Sequence, residues 1–380
     1  MPSELQVNTI TEATSGSGIT FAKDIIAPSA LSHRNMIING GMQVYQRGSL
    51  SITQSNNGGF ALDRFRFYQD GTVGQWQGTM SQYGMTDPEI VTTGHTMALK
   101  VITTTVENAI GADEESRVIY KIEAQDCQRL LYGTSAASSA TLSFWAKSTV
   151  AGDYAVSIWQ TDGNDIIGSK YTLAANTWKK VSITFAGNTL ENIANDNTEG
   201  LRINFMLIAG GDFTSANNTS WGAYAGNKLA YGHTASWGVN ANDAWYITGV
   251  QLELGSVSTP FEHRSFAEEL TRCERYYQTS FYHNNVPGTS TSNFDSALTT
   301  SWTDGNAPFP NPFRTVMRAQ PSVTLRPRGL TTTGQVSNGG TARNASAQDI
   351  GNKGISYIGV TSGTGGQYNA FTYVLDAELN

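Results

Sequence analysis

Apolar and polar positions alternate with a period of two along most of this chain. Phe65 and Phe67 alternate with Arg64 and Arg66, and Met97, Leu99 and Val101 share one side of a second run. Val118, Tyr120 and Ile122 do the same. Leu142, Phe144 and Ala146 oppose Ser143, Trp145 and Lys147, and Tyr154, Val156 and Ile158 oppose Ser157 and Trp159. Val181, Ile183 and Phe185 follow Trp178. Leu201, Ile203, Phe205 and Leu207 oppose Arg202, Asn204 and Met206. Tyr246, Thr248, Val250, Leu252 and Leu254 close the series, opposite Ile247, Gly249, Gln251 and Glu253. This period places successive side chains on opposite faces of a strand. The pattern predicts about eight to ten strands separated by turn-rich loops, the signature of a sandwich or jelly roll. No strand-helix-strand rhythm appears, which argues against a nucleotide-binding α/β fold.

After Gly255 and Pro260 the period changes. Phe266, Leu270, Cys273 and Tyr277 recur at helical spacing, and Ser265 with Glu268 three positions on is a capping-box arrangement. Turn chemistry follows at Asn284-Asn285, Pro287-Gly288, 304–306 and 308–312. Further strands are predicted at Val323–Leu325, Ile355–Val360 and Phe371–Leu379, with Gly329–Gly351 and Gly363–Asn369 as loops. The fold class is therefore all-β: a jelly-roll β-sandwich followed by a short helix and a second small β domain. The boundaries are 1–34 for a leader, 35–262 for the sandwich, 263–280 for a linker helix and 281–380 for the distal domain. In the leader, Leu5, Val7 and Thr9 alternate, Ser15–Gly18 is a turn and Ile19–Phe21 is apolar. A strand-turn-strand of that size cannot bury its own face, so it must dock on something. The second domain has few apolar runs in about a hundred residues, a thin core that self-association would complete.

Composition sharpens this picture. Charged residues are 14% of the chain and Gly supplies 39 of 380 positions, which suits short strands and tight turns. The net charge is −7 with no basic run, so nucleic acid is not an expected partner. No apolar run approaches the ~20 residues of a spanning helix, so membrane insertion is not expected. The polar start lacks a secretory pattern, which places the protein in a cytoplasm until it is assembled or released. Cys127 and Cys273 are two widely spaced residues, expected as reduced, half-buried thiols.

Little catalytic chemistry is legible. His33, His95, His233, His263 and His283 never stand at metal-ligand spacing, and neither a phosphate loop nor a nucleophile elbow is present. Asp113, Glu114 and Glu115 crowd one turn instead of facing each other across a scissile bond. No catalytic residue, metal ligand or cofactor is assigned, and the chain is read as not an enzyme. Asp162-Gly163-Asn164-Asp165 and Asn242-Asp243 offer oxygens for a calcium ion, but the first is a hairpin turn before anything else.

The segment Ala209–Asp243 is long for a loop without structure of its own. It carries Trp221, Tyr224, Tyr231 and Trp237 among Gly, Ser and Asn. Flat rings beside amides and hydroxyls suit the apolar face and the hydroxyls of a sugar. Trp159, opposite the apolar face of its strand, joins them as a candidate. These five are the candidate ligand-binding residues, with packing of the loop as their alternative role. Trp145, Trp178 and Trp245 are assigned to core packing.

The junction GVQLELGSVSTPFEHRSFAEELTRCERYYQTS resembles one found in many tail-fibre and virion-associated proteins of bacteriophages. So do NMIINGGMQVYQRG with DRFRF, ATLSFWAKS, and the C-terminal MRAQPSVTL and LDAEL segments. The sandwich is also similar to jelly-roll carbohydrate-binding modules. The resemblance implies a virion structural protein, a tail fibre or fibre-like appendage that adheres to a host-surface glycan. It implies attachment to other virion proteins through residues 1–34, a homo-oligomer expected as a trimer, and residence in the virion after assembly in the host cytoplasm. The alternatives are a purely structural adaptor, head fibre or decoration protein, and a polysaccharide depolymerase.

Overall fold

The computed structural model describes residues 33–53, 58–71, 76–107, 109–282, 285–287, 297–300, 306–309, 312–327, 331–361 and 366–379. The leader elements expected at Leu5–Thr9, Ser15–Gly18 and Ile19–Phe21, and His283, lie outside them. Residues 35–380 form one unit by their mutual contacts.

The chain enters with β1 (Leu50–Ile52), β2 (Gly58–Phe60), β3 (Phe65–Asp70) and β4 (Gln77–Gly84). A capped helix, α1 (Asp87–Thr93), leads to β5 (Met97–Thr105) and β6 (Glu115–Glu123). Next come β7 (Ala140–Ser148), β8 (Gly152–Gln160), β9 (Asp165–Leu173), β10 (Lys179–Phe185) and β11 (Glu199–Ala209). The insertion contributes α2 (Gly211–Thr214) and β12 (Gly222–Ala223), and β13 (Ala244–Leu254) completes the sandwich. One sheet runs β1-β4-β5-β13-β7-β10 and the other β12-β9-β8-β11-β6-β3-β2, both antiparallel. The hairpins β2–β3, β4–β5 and β8–β9 each stay within one sheet, and connections such as β3 to β4, β5 to β6 and β6 to β7 cross from one sheet to the other over a single core. This is the jelly-roll β-sandwich expected from the alternation.

The core holds the alternating residues named above. Phe144 meets Phe205 edge-on at 5.2 Å between centroids, and Trp245 and Ile247 are fully buried beside them. Each such side chain contributes about 1.5–3 kcal/mol through the surface it removes from water. Three assignments change. Tyr246 and Thr248 do not share a face with Val250 and Leu252, because β13 carries a bulge between Thr248 and Gln251. The bulge adds a residue and exchanges the faces, so Trp245, Ile247, Val250 and Leu252 point inward. Trp145 and Trp178 are half-buried on the outer side of the six-stranded sheet, not in the core. There Trp178 donates through Nε1 to Glu89 at 3.0 Å, and Lys147 lies 4.4 Å over the Tyr246 ring. Cys127 and Cys273 are unpaired and fully buried rather than half-buried.

A short helix, α3 (Phe266–Glu274), follows the sandwich, and the Ser265 hydroxyl accepts the Glu268 N–H as its cap. It ends before Tyr277, which opens β14 (Tyr277–Thr279). The distal part contains β15 (Ala297–Thr300), β16 (Asn306–Pro308), β17 (Ser322–Pro327), β18 (Gln335–Asn338), β19 (Thr341–Ile350), β20 (Ile355–Val360) and β21 (Tyr368–Asp376). They make one eight-stranded sheet around a second core of Phe309, Leu325, Val336, Ile358, Phe371 and Leu375. The stretch 329–351, expected as a loop, contains the β18–β19 hairpin. Gly339 and Gly340 take its turn at φ 54° and 88°. Its strands are polar and only partly buried, so they carry no apolar period to read.

Several of the motifs singled out in the sequence, among them 35–48, 63–67, 273–277 and 375–379, meet at the junction of the two parts, whereas ATLSFWAKS is strand β7 of the sandwich. Asp63 accepts from the backbone and side chain of Gln46, and the Gln46 amide reaches the Tyr277 carbonyl. Arg47 pairs with Asp376 at 2.8 Å and Glu378 at 3.0 Å, and Arg64 also pairs with Glu378. Glu123 takes two hydrogen bonds from Arg275 and one from the Tyr276 hydroxyl. Burial opposes the Arg64 charge, but the adjacent Glu378 carboxylate overrides it and the guanidinium holds its proton more firmly than usual. Upstream, Glu253 accepts from both the N–H and the hydroxyl of Thr259, and Gln251 accepts from the Glu262 N–H. These motifs are a folding device: they pin the distal sheet to the sandwich. The thin second core is therefore supplemented within the chain itself.

Candidate functional site

The insertion lies on the outer side of the seven-stranded sheet. Leu229 and Ala230 are buried against Ala155, Ile166 and Met206, with Phe213 and Tyr224 alongside. β12 adds to the sheet edge by pairing Gly222 with Ile166, and the Tyr224 N–H reaches the Asn164 carbonyl at 2.7 Å. The segment has little regular structure, yet it is packed at several points.

Those contacts sort the five candidate residues. Trp237 is 0% exposed and packs on Trp76 at 5.4 Å, so it belongs to the core and is withdrawn as a ligand contact. A loop tryptophan surrounded by glycine and serine reads as exposed in sequence, but the chain turns back into the sandwich at this point. Trp221 is half-buried, donates through Nε1 to the Ala186 carbonyl at 2.6 Å and meets Tyr132 edge-on at 5.5 Å. It is a second anchor of the insertion.

Trp159 and Tyr224 lie 65 positions apart in sequence and stack with centroids 4.0 Å apart and planes at 7°. The Trp159 Nε1 donates to Asn164 Oδ1 at 3.2 Å. Arg202, its cross-strand partner, lies 4.5 Å over the indole and is held there by Glu199. On the neighbouring strands Arg117 lies 4.7 Å over Tyr68 and pairs with Glu115 at 2.6 Å. Burial raises the Tyr224 hydroxyl pKa, against the opposing pull of Arg117. Burial also lowers the Arg117 pKa, with Glu115 opposing. Ring–ring and cation–ring contacts of this kind are each worth about 0.5–1.5 kcal/mol. The Trp159 ring is thus engaged by protein partners rather than offered as a bare platform.

Tyr231 differs. It is 37% exposed and lines a cavity of about 390 Å³ between the insertion and β9. Ser169, Lys170, Thr214, Thr219 and His233 line the same cavity. Lys170 is fixed by Asp153 at 2.7 Å. His233 Nδ1 accepts the Ala155 N–H at 3.3 Å, and burial lowers its pKa to about 4, so the imidazole is neutral at pH 7. Gly232 turns the chain at φ 78° beside Lys170. One ring with several hydroxyls and an amine in a recess of this size offers a stacking face and hydrogen-bonding groups to a small polar ligand. Lys170, Ser169 and His233 were not singled out from the sequence. The strand of Ser169 and Lys170, DIIGSKYTL, interrupts its apolar face with Ser169, His233 comes from the insertion, and nothing local signals the cavity.

The oxygens proposed for calcium are occupied by protein donors. Asp162 accepts the Ala194 N–H, Asp165 accepts from Asn188, and Asp243 accepts from Gly238 and Asn240. Among the described residues no three His, Cys, Asp or Glu side chains gather as metal ligands, and no helix is long and apolar enough to cross a membrane.

No protein-family model matches the sequence, and no curated protein matches it. Solved structures similar to it include TmCBM61 in complex with β-1,4-galactotriose, at 11% identity and TM-score 0.30, covering 58% of this chain and 99% of that one. A family 11 carbohydrate-binding module from Clostridium thermocellum, in complex with a β-1,3-1,4-mixed-linked tetrasaccharide, matches at 13% identity and TM-score 0.26, covering 57% and 99%. The CBM22-1 xylan-binding domain from Paenibacillus barcinonensis matches at 11% identity and TM-score 0.26, covering 56% and 99%. A likeness this loose carries no ligand or residue role to this chain.

Proposed function

We propose that this chain is a non-catalytic, glycan-binding structural protein of a bacteriophage virion, in a tail fibre or fibre-like appendage that adheres to the host surface. The observation that carries the glycan part is the Tyr231 cavity, with an accessible ring and hydroxyl and amine groups converging on it. The virion part rests on the junction motifs. Residues 1–34 would attach the chain to other virion proteins, and a threefold assembly would display several copies. Each contact is weak, and several copies on one particle multiply it through effective concentration.

The test is binding of the purified chain to host-cell polysaccharide, measured by biolayer interferometry, with Tyr231→Ala as the variant. Loss of binding with unchanged thermal stability supports the reading. Undiminished binding by the variant removes the site. A second reading, a purely structural adaptor or decoration protein, is favoured by the packing of Trp159, Tyr224, Trp221 and Trp237 against protein partners. It leads if the chain binds no host glycan while immunogold labelling still finds it on the virion.

A further inference from the structure

A second recess opens on the opposite, six-stranded sheet, with a volume of about 210 Å³. Its floor is the outer side of β7 and β10, where Trp145 and Lys180 are direct cross-strand partners. Thr248 of β13 faces Trp145 from the other side. The bulge that follows puts Gly249 at φ 62°, and a Cβ there would stand 2.4 Å from His95 Nε2. The bare glycine therefore lets the imidazole close the wall. His95 stacks on His263 at 5.5 Å, and the Phe261 ring meets both edge-on at 4.7 and 5.0 Å.

Four features make this a built site. Trp145 is half-buried and has no aromatic neighbour in contact among the described residues, in contrast to Trp159, Trp178, Trp221, Trp237 and Trp245. Its ring lines the recess. The polar lining is a lysine, two histidines, two threonines and Ser143, with no carboxylate. Lys180 has no acidic partner among the described residues, on a chain whose net charge is −7. His95 is only 6% exposed, and its ring makes no hydrogen bond among the described residues.

The geometry points to a site for a single sugar unit that bears a carboxylate, of the uronic-acid class. The apolar face of its pyranose would lie on Trp145 and its carboxylate would meet Lys180. A ring, a few hydroxyl partners and one cation in a recess of hexose size give orientation and charge selectivity together. This site lies on the other sheet and does not use the Tyr231 cavity.

The experiment follows the indole N–H resonance of Trp145 in the full chain, assigned by its disappearance in Trp145→Phe. Methyl β-glucuronide and methyl β-glucoside are titrated separately near neutral pH. The expected result is a saturable shift with the glucuronide, at least about tenfold tighter than with the glucoside. Lys180→Met should abolish that preference, and Tyr231→Ala should leave it unchanged. Equal affinity for the two glycosides overturns the proposal, as does the absence of a saturable shift up to about 50 mM. A preference that survives Lys180→Met overturns it too. Glycan binding that depends on Tyr231 and never moves the Trp145 signal sinks this inference while leaving the proposed function standing.

Discussion

Arg64 and Glu378 lie 314 positions apart in sequence and form an ion pair whose side chains are 1% and 0% exposed. Arg64 immediately precedes β3 of the sandwich, and Glu378 follows the last strand of the distal sheet. Removing one partner of such a pair leaves an uncompensated buried charge, which costs about 3–5 kcal/mol. Glu378→Gln should lower the urea midpoint of unfolding accordingly, and Arg64→Met should lower it by less, because Arg47 still pairs with Glu378 at 3.0 Å. The double replacement Arg64→Met with Glu378→Leu should recover much of the loss. Two single variants that unfold like the wild type would show that the contact is not formed.

Acidification should weaken the fold through two histidines. Burial lowers His95 from 6.5 to about 4, with His263 and Lys180 adding to the effect, and burial lowers His233 to about 4. In this window the unfolded chain binds the protons that the folded chain refuses, so stability is complete above pH 6.5 and falls as the pH drops toward 4. Each site accounts for about 3 kcal/mol. Glu89 resists that trend: burial would raise its pKa, but hydrogen bonds from Lys147, Thr86 and Trp178 hold it at about 2. Its contribution is lost only as the pH falls from 4.5 to about 2. Thermal melts from pH 7 to pH 4 should drop steeply in the wild type and less so in His233→Gln.

Trp237 and Tyr231 belong to one insertion yet should respond oppositely. Trp237→Ala opens a cavity beside Trp76 and should cost about 3–5 kcal/mol in stability. Tyr231→Ala removes a partly exposed ring and should change stability by about 0.5 kcal/mol or less. If calorimetry finds the reverse order, the division of the insertion into anchor and surface is wrong.

Gly249→Ala tests the bulge. Alanine at φ 62° is strained, and its Cβ would collide with the His95 ring. A loss of about 1–3 kcal/mol is expected, with the Trp145 indole resonance displaced. A neutral effect on melting temperature would show that β13 can shed the bulge.

Some elements were legible because local chemistry and burial agree. β6, β7, β8 and β11 each present an unbroken apolar row, as a strand between core and outer face must. The Ser265 cap was visible because a hydroxyl before a helix has one obvious donor to meet. The β18–β19 hairpin was not visible, since partly buried polar strands have no period. Nor was the Trp159–Tyr224 stack, which depends on where a loop lands.

The order of side chains along the chain was enough to determine that it folds as stacked antiparallel strands with a capped helix between two β parts. Each strand's inner face is a local property of period two, and alternation reports it directly. Only the tertiary structure decided which aromatics are anchors and which face solvent, and which charges the junction buries. It also decided where β13 exchanges its faces. Those outcomes depend on groups brought together from distant positions, and one inserted residue at Gly249 is enough to send the same alternation to the opposite side of the sheet.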